Sequence, residues 1–386
     1  MTNWGPLEKR FTTTQPRKIL SLDGGGIRGV FTLELLAEIE SQLRRKLGKG
    51  DDFVLSDYFD YIGGTSTGAI IAAGLTLGMP VQKLLDFYQE KGEAMFDKAF
   101  LLRRVKYFYN DGPLAKELKN TFGEGSIDVS TGVFKCLLLV VTMNRSTDSP
   151  WPISNNPLAK YNDSMRADCN TAIKLYQLVR ASTAAPAYFR AETLQWDLNN
   201  PEKTFVFVDG GVTPYNNPAF LLYRMATQPH YKLNWETGED KLLIVSVGTG
   251  SSPSAGTYDN LLETVKELPN NLMYAMQIDQ DINCRTIGRC TYGSQIDREL
   301  WDMVPREDPH DHKSAAIPLS TNLNRQFLYA RYNADLSQQG LDAMGMSHIV
   351  SDHVRQMDSV KYIDKLREVG KVAAKQVDMA HFGSFI

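Results

Sequence analysis

Residues Gly64-Thr65-Ser66-Thr67-Gly68 match G-x-S-x-G, the pattern that carries a nucleophilic serine on a sharp strand-to-helix turn. Glycines two positions either side leave room for the neighbouring backbone and for a substrate carbonyl. The helix that starts there presents unpaired N–H groups and the positive end of its dipole to a developing oxyanion. The same five letters also occur by chance, as a glycine-rich turn whose serine only caps the helix. What decides is the chemistry available around them.

A second cluster is Asp23-Gly24-Gly25-Gly26-Ile27-Arg28-Gly29. Gly24, Gly26 and Gly29 fit G-x-G-x-x-G, so a dinucleotide site has to be weighed. That use needs a strand ending in an acidic residue about 20 residues on. Arg44 to Asp52 reads RRKLGKGDD, which has the acid and lacks the strand. The other use is an oxyanion hole, with N–H groups of Gly24, Gly25 and Gly26 joined by that of Thr67. Arg28 either supports this loop or attracts an anionic headgroup. A third cluster, Phe205-Val206-Phe207-Val208-Asp209-Gly210-Gly211, delivers an aspartate at the carboxyl end of an apolar run, where functional groups of α/β sheets gather. Asp209 there can act as general base toward Ser66; its plain alternative is an aspartate that starts a turn.

A histidine partner is formally available, since His230, His310, His312, His348, His353 and His381 all follow Asp209. None stands in a strand-to-turn context like those of Ser66 and Asp209. Neither His310 with His312 nor His348 with His353 has a companion ligand spaced for a metal, so no metal and no cofactor are expected. Cys136, Cys169, Cys284 and Cys290 are scattered without a C-x-x-C pair, which reads as buried thiols in a reducing compartment.

These groups need elements to hold them. Lys18 to Leu22 is an apolar strand that breaks into the glycine cluster, and Val30, Leu33, Leu36, Ala37, Leu43 and Leu47 then recur at helical spacing. Tyr58 to Ile62 reads as the next strand, Gly63 to Gly68 as its turn and Ala69 to Leu77 as a small-residue helix. Val133 to Met143, Phe205 to Val208 and Leu242 to Val247 are further β-rich runs. Continuous apolarity means burial on both faces, so the fold class is α/β, with a mainly parallel sheet from about residue 18 to 250 covered by helices on both sides. Beyond Gly250 the texture turns polar and amphipathic, as in Leu261 to Met276 and Val354 to Val377. The expected organisation is an N-terminal arm over 1–16, a catalytic domain over 17–254 and a mostly helical extension over 255–386.

Over 386 residues, 42% are hydrophobic and 23% charged, which excludes a disordered or fibrous chain. Lys plus Arg number 42 against 45 acidic residues, for a net charge of -3. That balance argues against a nucleic-acid polymer as partner. The N-terminus lacks an apolar leader, so the expected location is cytoplasmic with peripheral association to the membrane. Phe96 to Tyr109, FDKAFLLRRVKYFY, interleaves basic and aromatic residues in a way that suits an anionic bilayer; a solvated amphipathic face is the alternative.

The Asp23 to Gly29 loop, the Gly64 to Gly68 elbow and Asp209-Gly210-Gly211 together resemble the signature blocks of the patatin-like phospholipase family. Val179-Arg180-Ala181-Ser182-Thr183-Ala184-Ala185-Pro186 and the run to Asn217-Pro218 are also similar to it, so the resemblance covers roughly residues 17–250. It implies a three-layer fold and a catalytic Ser66–Asp209 dyad without histidine. It further implies an oxyanion hole at the glycine loop and hydrolysis of fatty-acyl esters of membrane phospholipids without a metal. Some bacterial members are effectors of anti-phage defence opened by a cyclic nucleotide, so a latent enzyme with a cyclic-nucleotide activator is the second reading. A non-catalytic storage or binding protein is the third. The stretch after about residue 255 departs from the pattern of the plant members and leaves regulation and substrate access open, and headgroup preference and oligomeric state have no signal in the sequence.

Overall fold

The computed structural model describes residues 4–96, 113–186, 189–197, 199–251, 261–294, 296 and 324–386. Residues 97–109 of the basic–aromatic segment, with His310 and His312, lie outside the described residues. Among the described residues nine strands form one sheet: β1 (Arg17–Leu22), β2 (Tyr61–Thr65), β3 (Leu137–Asn144), β4 (Ser149–Ser154), β5 (Glu192–Gln195), β6 (Thr204–Asp209), β7 (Leu242–Val247), β8 (Arg289–Tyr292) and β9 (Leu328–Tyr332). The order is β5-β6-β3-β2-β1-β7-β9-β8, with β4 also paired to β3. The run from β3 to β8 is parallel, while β4, β5 and β6 pair antiparallel.

The continuous apolar runs have a simple cause. Successive side chains of a strand point to opposite faces, and here both faces are covered. Leu20, Leu138, Leu243 and Val245 enter one core, which includes Phe31 and Leu36 of α1 (Gly29–Lys46), Ile70 of α2 (Thr67–Thr76) and Leu84 of α3 (Val81–Phe96). Ile19, Leu137, Leu139, Leu242 and Ile244 enter the other, against Leu222 and Met225 of α5 (Ala219–Thr227). The preceding helix in chain order, α4 (Leu175–Ser182), packs on β3 and β6. The fold is therefore a three-layer α/β arrangement with a mostly parallel sheet.

Three sequence expectations shift. Leu55–Tyr58 is a helical turn, and the strand and its elbow begin three residues later than expected, so Gly63, Gly64 and Thr65 are strand residues and the turn is at Ser66. The Phe205 to Val208 run is antiparallel and only partly covered at Phe205 and Val206; antiparallel strands tolerate a wet side. The sheet does not end near 250. It continues through β9, which pairs with β7 over Leu243–Val247, and then β8. A short strand interrupted by Arg331 lacks the unbroken apolar run that marked the others.

The N-terminal arm is tied down at Asp60, whose carboxylate takes Arg10 at 3.0 Å and Arg17 at 3.6 Å. A long helix, α6 (Leu261–Ile287), and α7 (Ile363–Ala374) pack on the body, the latter mainly against α1. Among the described residues no helix is long and apolar enough to cross a membrane.

Candidate active site

Strand β3 brings the serine and the aspartate together. Along β3, β2 pairs in parallel with Leu137–Val141, ending at Thr65 opposite Val141. From the other direction β6 pairs antiparallel with the next positions, Asp209 opposite Thr142. Since β4 occupies one edge of β3 over both stretches, β2 and β6 share the other and meet end to end. Ser66 and Asp209, distant by 143 positions in sequence, thus stand at abutting strand tips, with Ser66 Oγ donating to Asp209 Oδ2 at 2.6 Å.

Ser66 has φ 55° and ψ -123°, a left-handed conformation rare for a residue with a side chain and costing about 1–3 kcal/mol. The surroundings hold it there. Its N–H donates to Ser182 Oγ at 2.9 Å, and Ser182 Oγ donates to the Val141 carbonyl at 2.6 Å. Gly68 crosses the end of β1 so closely that a Cβ would run into the Leu22 carbonyl, which explains the second glycine of the elbow. Asp209 is 5% exposed, and its Oδ1 accepts from the Gly211 N–H at 2.6 Å. Burial pushes its carboxyl up to about 6, against the opposing hydrogen bonds from Ser66 and Gly211.

The 23–29 loop lies beside this pair. Gly24 stands against Ser66 Cβ, Thr65 O and the Asn216 side chain. Its own N–H is already committed to the Asn216 carbonyl at 3.1 Å, and that of Ile27 to Met357 O at 2.9 Å. The N–H groups of Gly25, Gly26 and Thr67 are engaged by no carbonyl among the described residues. Arg28 is buried and folds back, its Nε donating to Gly25 O at 3.4 Å, which is loop support rather than a surface charge. Thr67 pairs its hydroxyl with that of Tyr88. Gly210 and Gly211 let the chain leave β6 at once in a short helical turn.

Three residues escaped the sequence reading. Ser182, in the Val179 to Pro186 block, braces the elbow as described. Asn216 is 1% exposed, and neither atom of its side-chain amide has a hydrogen-bond partner among the described residues although it lies against Gly24 and Gly211. Arg331 of β9 holds the Asp23 carboxylate through both guanidinium nitrogens, at 2.8 and 2.5 Å, and donates to Ser246 Oγ at 2.7 Å. Burial opposes the charge of Arg331, but Asp23 outweighs it and pushes the guanidinium pKa up. The available signal for Arg331 was a lone arginine inside the apolar Leu328 to Tyr332 run. Of the described histidines, His381 bonds to Tyr332, His348 bonds to Glu368 and His353 stacks on Tyr362.

The sheet and this constellation define a class: three-layer α/β proteins with a serine on a strand–helix elbow facing a strand-end carboxylate, beside a glycine-rich loop. Within it the chain belongs to the patatin-like phospholipase family, whose model matches residues 20–223. It is 37% identical over 215 residues to a cGAMP-activated phospholipase of Vibrio cholerae serotype O1, covering 53% of this chain and 56% of that protein. It is 31% identical over 250 residues to Patatin-17 of Solanum cardiophyllum, covering 61% of this chain and 60% of that one. The chain thus spans less than two thirds of the length of these relatives. Human GIVD cytosolic phospholipase A2, solved with methyl gamma-linolenyl fluorophosphonate, matches at TM-score 0.42 and 12% identity, covering 98% of this chain and 61% of that one.

Proposed function

We propose that this protein is a serine acyl hydrolase that cleaves fatty-acyl esters of membrane phospholipids, with Ser66 as nucleophile and Asp209 as general base. The observation that carries this reading is the 2.6 Å hydrogen bond from Ser66 Oγ to a buried carboxylate, on an elbow with φ 55°. Asp209 Oδ2 takes the Ser66 proton as Oγ attacks the ester carbon. The carbonyl oxygen becomes an oxyanion facing the N–H groups of Gly25, Gly26 and Thr67; one such donor is typically worth about 10²–10³ in rate. Collapse of the tetrahedral intermediate expels the alcohol, which takes the proton back from Asp209 and leaves an acyl-Ser66. Water, deprotonated by Asp209, repeats the sequence and releases the fatty acid. A carboxylate is a weak base at its ordinary pKa, and a value near 6 suits it to this task at neutral pH.

The catalytic unit in this reading spans 17–254, with 255–386 as an extension that braces the glycine loop through Arg331. The protein works from the cytoplasm at the membrane surface, where Phe96 to Tyr109 meets anionic lipid. The decisive experiment incubates purified protein with a fluorophosphonate probe and with mixed phospholipids. Wild type is labelled and releases fatty acid; Ser66→Ala does neither and keeps its fold. Labelling that persists in Ser66→Ala overturns the assignment, and a wild type that is never labelled, with or without cyclic oligonucleotides present, favours the storage or binding reading.

A second reading has the same chemistry held latent until a cyclic nucleotide binds. It is supported by the Vibrio cholerae relative, described as a cGAMP-activated phospholipase. Fatty-acid release measured with and without a panel of cyclic oligonucleotides separates the two: release at full rate without any of them excludes gating.

A further inference from the structure

Among the described residues, Asn216 is the one side chain with two buried atoms that lack a hydrogen-bond partner, its Oδ1 and its Nδ2. The adjacent Asn217 serves the fold: its Oδ1 accepts from Ser21 Oγ at 3.3 Å, Ser246 Oγ at 3.2 Å and the Ala219 N–H at 3.1 Å. Asn216 supports the fold through its backbone instead, whose carbonyl takes the Gly24 N–H at 3.1 Å. An unpaired buried amide costs stability, and such a group in a native protein is explained by a partner that arrives during function.

The place of the amide narrows what that partner is. A Cβ on Gly24 would strike Asn216 Oδ1 and lie 3.2 Å from Ser66 Cβ; a Cβ on Gly211 would lie 3.1 Å from Asn216 Oδ1 and 3.0 Å from Asp209 Oδ1. The amide oxygen therefore borders the nucleophile across one bare glycine and the base across another. An amide oxygen only accepts, so its partner has to donate. The ester group of a fatty-acyl chain carries acceptors alone, and the Ser66 hydroxyl is already given to Asp209. The donor that enters the reaction from outside is the water of its second half.

We propose that Asn216 positions the water that hydrolyses the acyl-Ser66 intermediate. The assignment rests on the reading of Ser66 and Asp209 as nucleophile and base. In the resting protein the amide is covered. Acylation replaces the Oγ–H, so Ser66 lets go of Asp209 Oδ2 and the cover on that side loosens. A water then gives one O–H to Asp209 Oδ2 and the other to Asn216 Oδ1, which leaves a lone pair for the acyl carbon. As that lone pair forms the new C–O bond, Asp209 takes the first proton. Collapse of the tetrahedral intermediate breaks the bond between the acyl carbon and Ser66 Oγ. Asp209 returns the proton to Oγ, and the fatty acid departs with the second proton.

The two half-reactions can be timed apart with p-nitrophenyl butyrate, whose leaving group departs without a proton. Stopped-flow release of p-nitrophenol gives acylation from the burst and deacylation from the steady phase, measured with and without cyclic oligonucleotides. Asn216→Ala keeps the backbone carbonyl that holds Gly24. Its burst rate and its fluorophosphonate labelling should stay within about twofold of wild type, while deacylation slows at least about tenfold and a butyryl adduct on Ser66 accumulates in intact-mass spectra. Asn216→Ser, which retains an acceptor oxygen, should recover part of the deacylation rate; if Asn216→Ala does not fold, the same split between the two phases is read in Asn216→Ser. Burst and steady rates that fall together mean that the amide shapes the whole site, and overturn the assignment. A normal adduct with deacylation unchanged overturns the water role and leaves the hydrolase reading standing. A wild type that forms no adduct under any of these conditions overturns the hydrolase reading and the water role with it.

Discussion

At Asp209 two demands conflict. A buried carboxylate is a stronger base because burial disfavours its charge, and for the same reason it weakens the fold. With its pKa raised from 3.8 to about 6, turnover should fall along an acidic limb centred near pH 6, with no imidazole step, as a pH profile of kcat/KM will show. The stability consequence has the opposite sign to that of a salt-bridged aspartate. The folded state prefers the protonated form, so wild-type stability drops between about pH 4 and pH 6 and stays low above. Asp209→Asn can still accept from the Gly211 N–H and cannot take a proton. It should lose about 10²–10⁴ in kcat and gain up to about 3 kcal/mol at pH 8, a gain that vanishes below pH 4; equal urea midpoints at pH 8 would sink this account. Ser66 and Asp209 were legible in the sequence because each sits in a local pattern of strand end and glycines. Ser182 and Asn216 were not, because what they contact, the Ser66 N–H for Ser182 and Gly24 for Asn216, lies 116 positions or more away in the chain.

Among the elements, β3 is the one on which the site depends, because β2 and β6 abut along its edge. Gly210 is the residue at that junction: a Cβ there would run into the Val141 carbonyl and lie 3.0 Å from Thr65 Cγ2. Gly210→Ala should push the end of β6 off β3, lowering stability by about 1–3 kcal/mol and slowing fluorophosphonate labelling at least about tenfold. Gly125→Ala, with nothing within 4 Å of its Cβ position, should do neither. Equal labelling rates in the two variants would mean that the junction does not set the site. The buried parallel strands could be read from apolarity alone, since two covered faces demand it. The abutment could not, because it is a property of register between strands far apart in sequence. Nor could β9, whose five residues are split by a charge that only its distant partner explains.

For the molecule as a whole, the buried Asp23–Arg331 pair joins the first strand of the sheet to the ninth. Removing one member of such a pair leaves an uncompensated buried charge and costs about 3–5 kcal/mol. Arg331→Met should therefore destabilise by that amount in denaturant unfolding, and Arg331→Lys should recover only part, having no planar fork to match both Asp23 oxygens. A loss below about 1 kcal/mol in Arg331→Met would show that the pair does not anchor the loop. The partners are 308 positions apart, and that separation has a meaning in time. A growing chain folds what has already emerged, so the elbow, β3 and Asp209 can assemble long before Arg331 is made. Until then the glycine loop lacks its anchor. Chains stalled on the ribosome with residue 300 as their last should resist fluorophosphonate labelling, and released full-length chains should not. On the proposed reading, acyl hydrolysis would then begin only once the whole chain has been made.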